Sequence, residues 1–85
     1  MKEFNFTIKD KDGIHARPAG QLVKLASEFE SKITITKEGK PADAKRIFAL
    51  MSLGAKCGHE LVVTAEGADE DKAIEALQNF MNENM

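Results

Sequence analysis

An α+β fold is predicted for this chain: an open sandwich in which helices cover one face of a mostly antiparallel sheet. Three observations carry the prediction. The strand-like segments have a single apolar side, as a sheet with one buried face requires. Three other segments space their apolar residues by three and four, the pattern of amphipathic helices. With 85 residues the chain has room for one domain, taken as 1–85.

The elements follow in order. Phe4, Phe6 and Ile8 alternate with Glu3, Asn5 and Thr7, which predicts a strand over 2–8. Asp10-Lys11-Asp12-Gly13 is a turn cluster, after which Ala19, Leu22, Val23, Ala26 and Phe29 predict a helix over 16–28. Ile33 and Ile35 alternate with Thr34 and Thr36, and Glu38-Gly39 turns the chain into a short arm containing Pro41. Proline lacks an N–H, so that arm belongs at a sheet edge. Ile47, Phe48, Leu50 and Met51 supply about two helical turns over 46–53, and Gly54 stands where a left-handed cap would end them. Leu61 to Ala65 is rich in β-formers. Gly67 leads to Asp69, Glu70 and Asp71, acids suited to a helix N-terminus, and Ala73, Ile74, Leu77, Phe80 and Met81 form the apolar face of a last helix. The order is β-α-β-β-α-β-α.

Composition narrows the function classes. The apolar fraction of 42% with 31% charged residues argues against disorder, and no apolar stretch approaches a membrane span. The N-terminus lacks a signal-peptide pattern, so cytoplasm is the expected compartment and Asn5-Phe6-Thr7 is read as strand rather than a glycosylation site. The net charge of −2 is unevenly spread: Ile14 to His59 carries +4, whereas Glu60 to Met85 carries −6. A basic middle suits an anionic ligand or acidic partner. Nucleic acid is a poor fit, because there are two arginines and no clustered basic run. The single cysteine, Cys57, excludes an internal disulfide, and Cys57-Gly58-His59 lacks the further ligands of a metal site; no metal is expected.

Chemistry concentrates in Gly13-Ile14-His15-Ala16-Arg17-Pro18-Ala19-Gly20. Pro18 suits the first turn of a helix, which places His15 at the cap or just before it. The positive end of the helix dipole disfavours imidazolium there and keeps the ring neutral and nucleophilic. The same free N–H groups, with the Arg17 guanidinium, would hold a phosphoryl group once attached. An isolated histidine beside a helix start is more often a surface or capping residue. No Walker loop, second base or carboxylate set for a metal accompanies His15, so the residues describe an acceptor of phosphoryl groups from another protein.

The stretch Gly13 to Ala19, the run from Ile47-Phe48 to Leu53-Gly54, and Ala65-Glu66-Gly67 before an acidic helix start together resemble HPr. This is the histidine-containing phosphocarrier family of the bacterial phosphoenolpyruvate-dependent sugar phosphotransferase system. The resemblance covers nearly the whole chain. It implies an open-faced β-sandwich with a four-stranded antiparallel sheet in the order 1-4-2-3 and three helices on one face. It also implies a carrier rather than an enzyme, with no cofactor: His15 accepts the group on Nδ1 from Enzyme I and passes it to IIA proteins of sugar permeases. Arg17 then neutralises the phosphate, Pro18 shapes the helix start, and the backbone N–H groups of Ala16 and Arg17 bind the phosphate. The family's docking patch maps to Gly20, Ile47, Phe48, Met51 and Ser52 near Gly54, with Lys24 and Lys45 on the same surface. By spacing alone Phe48 and Leu50 would both be core, and the lysines solvated charges. A monomer is the simpler expectation for a shuttle exposing one face. Two other readings are a regulatory protein-binding module and a nitrogen- or fructose-branch paralogue.

One position departs from many relatives. Arg46 stands where they have a regulatory serine before the Ile-Phe pair, so serine-based control is expected to be absent. Ser52, six residues on, is read as a surface or capping hydroxyl.

Overall fold

A computed structural model describes every residue of the chain except Asp12 and His15. Seven elements follow one another: β1 (Lys2–Thr7), α1 (Ala16–Ala26), β2 (Lys32–Lys37), β3 (Lys40–Asp43), α2 (Ile47–Ser52), β4 (Glu60–Glu66) and α3 (Glu70–Asn84). The four strands form one open sheet in the order β1-β4-β2-β3, antiparallel throughout. Both the fold class and the strand order match the expectation.

Register explains why one face is apolar. Phe4 pairs with Val63, Val63 with Ile35, and Ile35 with Ala42, so a single apolar row crosses all four strands. Phe6 beside Leu61, and Ala65 beside Ile33, extend that face on either side of the row. Pro41 sits on β3, which pairs with β2 alone. The helices cover this face, α3 against β1 and β4, and α2 against β3, with α1 touching both other helices. Ala19, Leu22 and Ala26 of α1, Leu50 of α2, and Ala73, Leu77 and Met81 of α3 are fully buried there. Burial of each large aliphatic side chain contributes about 1.5–3 kcal/mol.

The element ends differ slightly from the periodic reading, for local reasons. Ile8 lies past β1 but still exchanges hydrogen bonds with the chain at Gly58 and His59. The first helix stops at Ala26 rather than at 28. Ser27 N–H still donates to Val23 O, but Glu28 and Phe29 donate to Leu25 and Ala26, a tightening to the i−3 pattern that closes the last turn. Arg46 is extended and Leu53 N–H turns back to Leu50 O, which limits α2 to six residues.

A carboxylate locks the α1–β2 connection to α3. Asp69 accepts the backbone N–H groups of Glu30 and Ser31, each at 2.9 Å, and the Ser31 hydroxyl. Ser31 is the buried polar residue of the fold among those described. The Ser31 hydroxyl, then the Glu30 N–H, hold the Asp69 carboxyl below its ordinary value of 3.8 against a smaller opposing effect of desolvation.

Candidate functional site

His15, the candidate phosphoryl acceptor, lies outside the described residues; the structure describes what surrounds it in the chain. On its N-terminal side, Gly13 N–H donates to Asp10 O at 2.9 Å and Ile14 N–H donates to Ala55 O at 3.0 Å. Gly13 has φ +67°, and a Cβ there would come within 2.7 Å of Lys56 Cα. The approach to α1 is therefore laid tightly on the segment that leaves α2. On its C-terminal side, α1 opens at Ala16, with Ala16 and Arg17 exposed and Pro18 buried. The first N–H groups of a helix have no acceptor within it, and Pro18 adds none to satisfy. Ala16 and Arg17 stand exposed on the first turn of α1.

Arg17 also lines a pocket of about 280 Å³ with Asp10, Pro18, Gln21, Glu83 and Asn84, between the first turn of α1 and the last turn of α3. The contribution of α3 was not foreseen from sequence. Glu83 and Asn84 carry no motif, and only the packing of α3 brings them to Arg17.

The remaining predicted site residues fall into two groups. Gly20 is half-buried, and a Cβ there would lie 3.8 Å from Ile47 Cδ1, so α1 and α2 meet at this pair. Phe48 is 83% exposed and Met51 40%, on the outer side of a helix whose Leu50 is fully buried. Two residues apart, Phe48 and Leu50 fall on opposite sides of a helix, so they cannot both be core as expected; the orientation of α2 buries Leu50 and exposes Phe48. Ser52 donates its hydroxyl to Ala49 O at 2.8 Å, and Gly54 follows with φ +64°. Phe48 and Met51 are the large apolar side chains that α2 leaves exposed. Lys24 lies one helical turn beyond Gly20 on α1, and Lys45 shortly precedes α2. Lys24 is exposed in the last turn of α1, about 12 Å along the axis from Ala16 at 1.5 Å per residue. Lys45 is half-buried, its ammonium 2.7 Å from Phe29 O beyond that same far end.

Arg46 is exposed and its Nε is 3.8 Å from Asp43 Oδ2, a surface ion pair of the weak kind. Cys57 is exposed with its sulfur 3.7 Å from Lys9 O, while His59 Nδ1 accepts the Lys56 N–H at 3.0 Å. No group of three or more His, Cys, Asp or Glu side chains among the described residues is placed to hold a metal. No helix of the described residues is long and apolar enough to cross a membrane.

Known proteins match this arrangement. The family model of the PTS HPr component phosphorylation site matches residues 2–83. The chain belongs to the HPr family. HPr is the phosphocarrier of the phosphotransferase system, not a catalyst in the usual sense. The phosphocarrier protein HPr of Lysinibacillus sphaericus is 46% identical over 83 residues, covering 98% of this chain and 94% of its own. That of Mycoplasma capricolum is 43% identical over 81 residues, covering 95% and 91%. A solved histidine-containing phosphocarrier protein of Mycoplasma superposes with a TM-score of 0.94 at 41% identity, over 96% of this chain and 93% of its own. The HPr fold therefore accounts for the open sheet and its strand order.

Proposed function

We propose that this chain is a phosphoryl carrier that takes the group from phospho-Enzyme I onto His15 and delivers it to IIA proteins. The observation that carries this reading is the start of α1 at Ala16, directly after His15, with Arg17 exposed on the first turn. In the transfer, the Nδ1 lone pair of His15 attacks phosphorus as the bond to the donor breaks, and the donor keeps the bonding electrons. The N–H groups of Ala16 and Arg17 and the Arg17 guanidinium neutralise the phosphoryl oxygens, while Pro18 fixes the turn that presents them. Delivery to a IIA protein is the reverse displacement, so neither state of His15 need be much more stable than the other.

Partners dock on Gly20, Ile47, Phe48, Met51, Ser52 and Gly54. Such a surface fits a transient complex below about 1,200 Å² of buried area. Lys24 and Lys45 add positive potential, which raises encounter rates with acidic partners more than affinity. The carrier acts as a cytoplasmic monomer, and Arg46 removes control by serine phosphorylation.

Incubation with phosphoenolpyruvate, magnesium and catalytic Enzyme I tests the reading by intact mass at neutral to alkaline pH. One acid-labile phosphoryl group is expected on the native chain and none on His15→Ala. No addition to the folded native chain, with another HPr phosphorylated in the same tube, would refute it.

A further inference from the structure

The helix that carries the exposed Phe48 and Met51 is only six residues long. Its Arg46 cap makes no side-chain hydrogen bond, and the hydroxyl of Ser52 is turned back onto Ala49. So short a helix has little stability of its own and depends on contacts from outside. One such contact comes from the sheet. Lys37 reaches from the end of β2 and donates its ammonium to Leu53 O at 2.9 Å and Gly54 O at 3.4 Å. Its position follows from the strand period: Ile33, Ile35 and Lys37 point to the same, helix-covered face. There Lys37 is paired in register with Lys40, an arrangement of like charges that by itself is unfavourable. The carbonyls leaving α2 give the Lys37 charge a partner at the negative end of the helix.

We propose that Lys37 is a positioning residue for docking: its ammonium fixes the C-terminal end of α2 and so the presentation of Ile47, Phe48 and Met51. The inference rests on the carrier reading for its functional half. It assigns Lys37 no contact with the phosphoryl group. Lys37→Met keeps the alkyl stem and removes the donors, and Lys37→Arg restores a cation able to reach the same carbonyls.

Phosphorylation by Enzyme I is measured as KM against kcat, beside amide hydrogen exchange at Leu50, Met51, Leu53 and Gly54. For Lys37→Met, KM is expected to rise about two- to fivefold, the range a helix-end cation supplies, with kcat unchanged. Exchange at the four amides should quicken, and Lys37→Arg should return both readouts to the native values. Native exchange in a folded Lys37→Met would overturn the proposal. So would faster exchange with an unchanged KM, because the helix end would then be held without consequence for docking. A native chain that takes up no phosphoryl group fails the carrier reading instead, and exchange alone then decides whether Lys37 holds the helix.

Discussion

Gly13 and Gly54 have nearly the same backbone conformation, φ +67° and +64°, but opposite surroundings. A Cβ at Gly54 meets nothing within 4 Å, whereas one at Gly13 runs into the backbone of Ala55 and Lys56, with Lys56 Cα at 2.7 Å. Replacing either by alanine incurs the left-handed penalty, about 1–2 kcal/mol. Gly13→Ala adds the cost of forcing atoms into an occupied backbone contact, about a further 1–3 kcal/mol. The Gly13 variant is therefore expected to be the less stable of the two by that second amount. For a domain of this size each kcal/mol moves Tm by about 4–8 °C. Urea and thermal unfolding followed by far-UV circular dichroism measure both, since the chain has no tryptophan or tyrosine. Equal losses in the two variants would refute the close approach of the 13–14 segment to the exit of α2, and with it the seating of the residues that precede α1.

Two further outcomes are expected. Gly20→Ala adds a methyl in ordinary contact with Ile47 Cδ1 and removes a glycine from a helix interior, so unfolding in urea should show a gain of about 1 kcal/mol; a loss would mean that α1 and α2 lie closer than described. The depressed Asp69 carboxyl contributes stability that is present above its unfolded value of 3.8 and is lost as pH falls through its lower folded value. The stability gap between the native chain and Asp69→Asn, followed by urea unfolding across pH, should therefore shrink on acidification, and a gap independent of pH would remove the Ser31–Asp69 lock from the account.

Local chemistry was readable from the chain where neighbours decide the outcome. The alternation of Phe4, Phe6 and Ile8, the turn at Glu38-Gly39 and the edge position of Pro41 all depend on residues within a few positions of one another. Strand order was a different matter, because periodicity says nothing about which strands are neighbours; the HPr resemblance supplied it. Three tertiary features were not read from the apolar pattern. Asp69 grips Ser31 from 38 residues away, Lys37 caps a helix 16 residues on, and Glu83 reaches the pocket of Arg17 from the end of α3. Each joins distant segments through polar atoms, which an apolar pattern does not record. A hint at Lys37 was available: extending the Ile33–Ile35 period by one step puts a charge on the buried face, where it needs an acceptor.

The place of β4 has a consequence for how the molecule is made. It is the last strand in the chain yet lies between β1 and β2, so β1 has no partner and β2 lacks its inner one until residues 60–66 have been synthesised. Before then the hairpin of β2 and β3 can close, but β1 and the inner edge of β2 remain unpaired, the kind of exposed edge that invites association with other chains. Closing the sheet joins Lys2 to Ala65, a contact across most of the chain, and such long-range pairing slows folding relative to a helical bundle of equal size. The sheet of the nascent protein therefore closes only after translation has passed the final strand.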